Sequence, residues 1–130
     1  MDWKYKGKII TEVPEGMEAF VYVITFQDGS KYVGKKNFYS TRRVRVKGKA
    51  RRQVKVTESN WKTYMSSSTV VKEKLAAGHK LKSREIVQLT RTKGQATYEE
   101  VKYMFLHDVL CCDNWLNANI LSRFFRSICD

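Results

Sequence analysis

The sequence predicts a small single domain of the α/β (α+β) class, in which a three-stranded central sheet is flanked by helices. The chain has 130 residues, which suits one domain with a buried core. Its 42% hydrophobic and 29% charged residues are typical of a globular protein. The third observation is the order of the segments: a β-hairpin comes first, and a helix, a further strand and two helices follow.

The first segment, residues 1–18, is expected to be a loosely structured N-terminal arm, because Pro14 and Gly16 interrupt it. The domain itself is expected to span 19–130. Within this domain, residues at about 37–57 are expected to form a basic insertion, a loop or ribbon that has few core-forming side chains.

Three strands and one helix come from the middle of the chain. Phe20–Phe26 and Lys31–Lys35 are rich in β-branched and aromatic residues around a turn, so they are predicted to pair as an antiparallel hairpin. A helix is predicted over Thr69–Ala77 and ends at Gly78, in the left-handed conformation that glycine favours there. Arg84–Leu89 is predicted to be the third strand.

Two further helices are predicted near the end of the chain. The first spans 97–110, and its apolar face would contain Tyr98, Val101, Phe105 and Val109. The second follows Asn114, with an apolar stripe formed by Leu116, Ile120 and Phe124.

The positive charge is concentrated in one segment. The formal net charge is +12, and the interval between Gly29 and Thr57 has no acidic residue but eleven of the 25 lysines and arginines. The candidates for nucleic-acid contact in this interval are Lys35, Lys36, Arg42, Arg43, Arg45, Lys47, Lys49, Arg51, Arg52 and Lys55. A polyanion is therefore the expected partner, and nucleic acid is favoured over a membrane because the basic segment has no amphipathic helix.

The cysteines and histidines do not predict a metal centre. Three cysteines give no disulfide framework, and the adjacent Cys111 and Cys112 are interpreted as buried packing residues. His79 and His107 lack the spacing of paired zinc ligands. Without an apolar N-terminal signal segment, a reducing, cytoplasmic location is expected.

Two short motifs resemble those of a known family. The sequence FVY at 20–22 stands ten residues before YVG at 32–34, and this pair is similar to the motifs that name the GIY-YIG nucleases. YVGKKNF and SNWKTYMSSS look most like the small stand-alone members carried by bacteriophages. Phe20 stands where the family has glycine and Val33 where it has isoleucine. The resemblance implies a three-stranded sheet flanked by helices and an endonuclease that acts on DNA.

The resemblance also implies a set of site residues. The catalytic candidates are Tyr22, Tyr32, Gly34, Lys36, Arg42, Tyr64, Glu100 and Asn117. Glu100 would hold Mg²⁺ or Mn²⁺, Arg42 would clamp the scissile phosphate, and the two hairpin tyrosines would position or activate water. Tyr64 stands in a segment where family members have a histidine, and Lys36 is a candidate phosphate contact or proton-transfer group.

Each assignment has a competing interpretation. Thr97 and Glu100 have the spacing of a helix capping box, which explains this glutamate without a metal, and Glu99 is an alternative ligand. Trp61 is expected in the core rather than stacked on a base. For the whole chain, the alternatives are a non-catalytic nucleic-acid-binding protein on the same scaffold and, less favoured, a nuclease that acts on RNA.

The hairpin provides a geometric test. With a two-residue turn, Tyr22 and Tyr32 would lie on opposite faces of the sheet. With an odd-length, bulged connection, Tyr32 would pair with Phe26 and Tyr22 with Lys36, so both tyrosines would share a face with Gly34. The nuclease interpretation therefore predicts the bulged connection.

Overall fold

A computed structural model describes residues 1–51 and 53–130 of the chain, so Arg52, one of the predicted nucleic-acid contacts, lies outside the described residues. In chain order the elements are β1 (Trp3–Tyr5), β2 (Lys8–Ile9), β3 (Ala19–Phe26), β4 (Lys31–Asn37), β5 (Tyr39–Val44), β6 (Gln53–Glu58), α1 (Thr69–Ala76), β7 (Leu81–Thr90), α2 (Lys93–Leu106), β8 (Asn119–Ile120), β9 (Phe124–Phe125) and a 3₁₀ turn (Arg126–Cys129).

The predicted α+β class is confirmed, but the central sheet has five strands and not three. Its order is β2-β1-β7-β3-β4, and β5–β6 and β8–β9 form two smaller sheets. The expectation of a loose N-terminal arm is wrong for β1 and β2, since β1 pairs in parallel with β7. Trp3 holds this segment in place, because its ring is buried and its Nε1 donates to the Trp61 carbonyl at 2.6 Å.

The hairpin of β3 and β4 has the predicted odd-length connection. Residues 27–29 form a three-residue loop, in which the Gly29 N–H donates to the Phe26 carbonyl at 3.0 Å and Gly29 has a φ of +91°. Tyr22 pairs with Gly34. The expected pairing of Tyr22 with Lys36 is therefore wrong by two residues. Because a shift of two preserves the face, both hairpin tyrosines still lie on the same side of the sheet.

The sheet is covered on both faces. Val71 of α1 and Trp61 of the segment between β6 and α1 pack on one face with Phe20, and Tyr22 belongs to the same cluster. Met104 of α2 packs on the other face with Val33 and its neighbours. Trp61 is therefore a core residue, as expected, and the alternation of side chains along β3 and β4 decides which residues face each layer.

Helix α2 begins four residues earlier than predicted. Its N-cap is Thr92, whose Oγ1 accepts a hydrogen bond from the Gln95 N–H at 3.0 Å. The capping-box interpretation of Glu100 is therefore wrong, because this residue lies in the second turn of the helix. The predicted apolar face is also wrong: Tyr98 and Phe105 are 66% and 56% exposed. Helix α1 and β7 lie where they were predicted, and Gly78 has the expected positive φ of +96°.

The last predicted helix is wrong. The segment instead contains the short strands β8 and β9 and the 3₁₀ turn. Its fold is decided by tertiary contacts: the Leu116 N–H donates to the Lys31 carbonyl at 2.7 Å, and the Arg126 guanidinium donates to the Leu110 and Trp115 carbonyls. The helical spacing of the apolar residues does not reveal these contacts.

The cysteine interpretation also needs correction. Cys111 and Cys129 form a disulfide with a Cα–Cα distance of 5.5 Å, and Cys112 is free. Cys111 is exposed, so it is not the buried packing residue that the sequence suggested. Neither helix within residues 1–51 and 53–130 is long and apolar enough to cross a membrane.

Candidate active site

Tyr22 lies at the centre of a cluster of polar and aromatic side chains on one face of the sheet. Its ring is buried, and its Oη donates to Ser66 Oγ at 3.2 Å. Ser66 Oγ also accepts from the Ser68 N–H at 3.0 Å, so one hydroxyl holds both the phenol and the loop before α1. Burial raises the pKa of Tyr22 well above its usual range, and the phenol is therefore neutral at physiological pH.

Gly34 makes room for this tyrosine. A β-carbon at residue 34 would lie 2.6 Å from Cζ of Tyr22, which is far inside van der Waals contact. Gly34, the direct pairing partner of Tyr22, therefore lets the Tyr22 ring lie across β4.

Tyr64 and Lys36 adjoin the same cluster. The Tyr64 ring packs edge-on against Tyr22 with 6.0 Å between centroids, and Lys36 Nζ lies 4.3 Å from the Tyr64 ring centroid. Arg84 fixes the turn that presents Tyr64, since its buried guanidinium donates to the Tyr64 carbonyl at 2.6 Å and to the Lys62 carbonyl at 3.1 Å. This tyrosine cluster, formed by Tyr22, Tyr64, Ser66 and Lys36, therefore combines a cation with two phenols.

A cavity of about 400 Å³ opens at the outer edge of β4. Its lining includes Tyr32 from β4, Ser68 from the loop before α1 and Glu100 from α2. Glu100 lies one turn from each of two buried residues of α2, Ala96 and Met104, so the helix directs its carboxylate toward the sheet. The structure thus brings Tyr32 and Glu100 to one cavity although they are distant in the sequence.

The cavity changes the ionisation of the groups that line it. Burial raises the pKa of Glu100, and the nearby Lys35 ammonium partly offsets this shift. Burial also raises the pKa of Tyr32, and the negative charge of Glu100 raises it further. In the protein alone, burial is therefore the main cause that raises the pKa of both hairpin tyrosines.

Asn117 also lines the cavity, and its amide is already bonded to the backbone. Its Oδ1 accepts from the Val33 N–H at 3.1 Å, and its Nδ2 donates to the Val33 carbonyl at 2.9 Å. This side chain occupies the position of a neighbouring strand along the edge of β4. It fixes the backbone between Tyr32 and Gly34, which is a positioning role.

Arg42 lies apart from this cluster, on the two-stranded ribbon of β5 and β6. Its side chain is exposed, and its Cα pairs with that of Lys55 across the ribbon. The basic residues of the ribbon that the structure describes are Arg42, Arg43, Arg45, Lys47, Lys49, Arg51 and Lys55, and all are exposed. Lys35 points to α2 instead, where its Nζ donates to Thr97 Oγ1 at 2.8 Å.

A second cavity, of about 340 Å³, lies between the start of β5 and the end of β4 that carries Lys36, which in turn adjoins Tyr64. Lys35 and Lys36 line one side of it, and Tyr39, Ser40 and Thr41 of β5 line another. The basic segment and the tyrosine cluster are therefore continuous in space as well as in sequence.

A divalent cation is compatible with the donors of the Tyr32–Glu100 cavity. Across residues 1–51 and 53–130, no three His, Cys, Asp or Glu side chains gather, so a protein-only cage for a metal is not formed there. Mg²⁺ does not need one, because it commonly binds one or two carboxylates and completes its octahedron with water and substrate phosphate. Glu100 supplies such a carboxylate in a cavity with room for those ligands.

Two serines were missed as site residues. Ser66 is buried and has a φ of +115°, a backbone conformation that is rare for a residue with a side chain. Ser68 lines the cavity with Tyr32. The only signal in the sequence was the run of hydroxyl residues in SNWKTYMSSS, which does not show which hydroxyl faces Tyr22.

Residues 3–120 match a protein-family model described as "Putative endonuclease segE, GIY-YIG domain". Searches of curated proteins and of solved structures found no match. The matched residues include the whole five-stranded sheet, both helices and the tyrosine cluster, and the chain therefore belongs to the GIY-YIG nuclease family.

Proposed function

We propose that this chain is an endonuclease that uses Mg²⁺ or Mn²⁺ to hydrolyse phosphodiester bonds in DNA. One observation carries the proposal most directly: a half-buried carboxylate, Glu100, shares a cavity with Tyr32, and the Lys35 ammonium lies near that carboxylate. GIY-YIG nucleases generally depend on a metal and act on DNA, which agrees with a net charge of +12.

Glu100 would hold the cation in this proposal. When bound, the cation neutralises negative charge on the phosphate and on the leaving oxygen. The raised pKa of Glu100 is consistent with such a role, because a buried carboxylate lacks a full complement of partners in the protein alone. Tyr32 lines the same cavity and would orient the attacking water through its hydroxyl.

Lys36 would supply positive charge for the phosphate. It lies beside Tyr64, on the same strand face as Tyr32 and Gly34. Hydrolysis forms a bond between a water oxygen and phosphorus and breaks a bond from phosphorus to an ester oxygen, so negative charge develops on the leaving oxygen. An ammonium group close to that charge lowers the barrier by electrostatic stabilisation.

The remaining members of the cluster would position these groups. Tyr22 is neutral and buried, and it would act as a hydrogen-bond donor that fixes Ser66. Asn117 holds the backbone of Val33 next to Tyr32. Arg42 reaches DNA from the ribbon in this proposal, and a direct role at the scissile phosphate stays a prediction.

A second candidate function is DNA binding without cleavage. The observation that favours it is the exposure of the basic side chains of the ribbon, because such a surface can bind DNA without any catalytic group. The same basic surface would then bind DNA with strongly salt-dependent affinity.

A plasmid-nicking assay separates these functions. We expect the wild-type protein to nick supercoiled plasmid with Mg²⁺ and not with EDTA, and Glu100→Gln to reduce the rate by ~100-fold or more. Glu99→Gln is the matched control, since it changes the neighbouring carboxylate and should retain activity. Cleavage that persists with EDTA and with Glu100→Gln would contradict the proposal. Tight, salt-dependent binding without cleavage would support the second function.

A further inference from the structure

We propose that the β5–β6 ribbon inserts into the major groove of duplex DNA, with the face that presents Arg42, Gln53 and Lys55 on the base edges. The inference rests on the proposed DNA-directed function and extends it, because it assigns a groove and a set of base contacts. It also gives Arg42 a role that its position on the ribbon explains.

The dimensions of the ribbon suit the major groove. It is a separate two-stranded sheet with six residues in each strand, so it is roughly 20 Å long. This length corresponds to about six base pairs of B-form DNA. The major groove, about 12 Å wide, admits a two-stranded ribbon, whereas the minor groove is only about 6 Å wide.

The pairing register separates the ribbon into two faces. Ser40 pairs with Thr57, Arg42 with Lys55 and Val44 with Gln53, and directly opposite residues share a face. The Ser40 and Thr57 hydroxyls lie 3.2 Å apart, which confirms that these pairs are on one side. This face has no carboxylate, and its long side chains can donate to base edges: arginine to guanine O6 and N7, glutamine to adenine N6 and N7.

A like-charge pair on this face favours an anionic partner. Arg42 and Lys55 stand directly opposite each other, and two like charges in that position destabilise a strand pair. Polyanionic DNA next to this face would remove the repulsion. The two cations would then contribute to binding instead of opposing the formation of the ribbon.

The opposite face is less suited to the groove floor. It presents Val54 and Val56, which are 63% and 60% exposed, it has Arg43 as its one cation, and it ends in the carboxylate of Glu58. Glu58 accepts a hydrogen bond from Trp61 Nε1 at 2.7 Å, which ties this end of the ribbon to the core. A carboxylate fixed on this side would repel phosphates, so the Arg42 face is the one directed to DNA.

The base of the ribbon is fixed to the strand that carries the site. The Ser59 N–H donates to the Phe38 carbonyl at 2.8 Å, and Ser59 Oγ donates to the Asn37 carbonyl at 2.6 Å. Asn37 directly follows Lys36, so the ribbon extends from the tyrosine cluster. The base contacts would therefore lie to one side of the cut, within roughly one half-turn of DNA.

Methylation protection with dimethyl sulfate tests which groove is occupied. This reagent methylates guanine N7 in the major groove and adenine N3 in the minor groove. The probe is a duplex that the protein binds, and the Glu100→Gln variant is used so that the duplex is not cleaved. We expect protection of guanine N7 over about six base pairs beside the cut, with adenine N3 still reactive. Protection of adenine N3 instead, or protection at neither atom, would overturn the proposal.

Two matched variants test which face is used. Replacing Arg42 and Lys55, the two cations of this face, with alanine should abolish the guanine N7 protection and weaken binding by about tenfold or more. Replacing Val54 and Val56 with threonine, on the other face of the ribbon, should leave both unchanged. If the valine variant loses guanine N7 protection and the other variant keeps it, the opposite face of the ribbon contacts the bases. Circular dichroism of both variants is the control that checks whether the protein remains folded after the substitutions in the ribbon.

The inference and the proposed function fail in different assays. Wild-type protein that cleaves plasmid while guanine N7 remains unprotected in the bound complex contradicts only the ribbon proposal. Protection of guanine N7 by a protein that never cleaves contradicts the endonuclease and supports the ribbon in a DNA-binding protein.

Discussion

The ring of Tyr22 crosses directly over Gly34, and a β-carbon at residue 34 would lie 2.6 Å from Cζ of that ring. The two residues are paired across β3 and β4, so the overlap comes from the hairpin itself. We expect Gly34→Ala to displace the Tyr22 ring, to lower the free energy of unfolding by about 1–3 kcal/mol and to abolish most cleavage. Urea denaturation and plasmid nicking measure these two effects.

Gly94→Ala is the control for this substitution. Gly94 lies in the first turn of α2, and a β-carbon there would meet no atom within 4 Å. This variant should retain cleavage and gain up to about 1 kcal/mol in the free energy of unfolding, because alanine favours helix more than glycine does. Equal stability changes at the two positions would show that Tyr22 does not constrain residue 34.

Ser66 combines two opposing contributions to stability. Its hydroxyl binds Tyr22 and the Ser68 N–H, whereas its φ of +115° is strained. Ser66→Ala removes the hydrogen bonds and keeps the strain, so we expect a loss of about 1–3 kcal/mol in the free energy of unfolding. Ser66→Gly removes both, and it should be more stable than Ser66→Ala. If Ser66→Ala is at least as stable as Ser66→Gly, the positive φ at this position does not destabilise the folded protein.

Substitutions of Lys36 and of Arg42 should change different kinetic parameters of DNA cleavage. Lys36 lies beside Tyr64, so Lys36→Ala should lower kcat by ~10–100-fold. Arg42 lies on the ribbon, so Arg42→Ala should raise KM with little change in kcat. Cleavage kinetics on a short duplex at constant salt measure both parameters. A large fall in kcat for Arg42→Ala would instead support the phosphate clamp that the family resemblance implies.

Glu100 should make stability depend on pH. Burial raises its pKa in the folded protein above the ordinary value of 4.5, so the folded state resists its ionisation. Stability is highest when the carboxyl is protonated, and it falls as pH rises from the unfolded pKa through the raised folded pKa. The Glu100→Gln variant has no carboxyl group to ionise at this position, so its stability should not fall in this way as pH rises.

Thermal unfolding tests the difference between the two proteins. Glu100→Gln should be more stable than the wild-type protein at pH 7, and the two should converge near pH 4. Adding Mg²⁺ at pH 7 should raise the Tm of the wild-type protein and not that of the variant, because only the carboxylate binds the ion. Equal stability at all pH values would show that the carboxylate is well solvated.

The disulfide makes a separate contribution to stability. Cys111 and Cys129 are 18 residues apart, and cross-linking a loop of this size stabilises a protein by about 3 kcal/mol in the chain-entropy model. Cys129→Ser should lower the free energy of unfolding by about this amount, and Cys112→Ser should not. A reducing agent that destabilises wild-type protein but not Cys129→Ser would show that the bond forms in solution.

Local patterns were sufficient to predict the hairpin and the first helix. Side chains in a strand alternate with a period of two, so the shared face of Tyr22 and Tyr32 depends only on an odd-length connection. The exact register depends on the turn, and it was wrong by two residues. Helix α1 ends at a glycine with positive φ, a signal that needs no tertiary contact.

Long-range contacts decide the parts that the sequence did not predict. The N-terminal strand β1 has only three residues and forms because Trp3 enters the core against Trp61. The final segment has a helical spacing of apolar residues, yet Asn117 bonds to Val33 and holds it extended. Thr97 and Glu100 match a capping box, but Thr92 caps the helix earlier. In each case a partner distant in sequence, or a stronger cap, determined the result.

The charge on the ribbon has a consequence for solubility. A two-stranded sheet leaves an unpaired edge on each strand, and exposed valines beside such edges favour pairing with another chain. Lysine and arginine along both strands keep copies of the protein apart by repulsion. The residues that bind DNA in our proposal would thus also protect the ribbon from aggregation, and variants that neutralise them should lose solubility together with affinity.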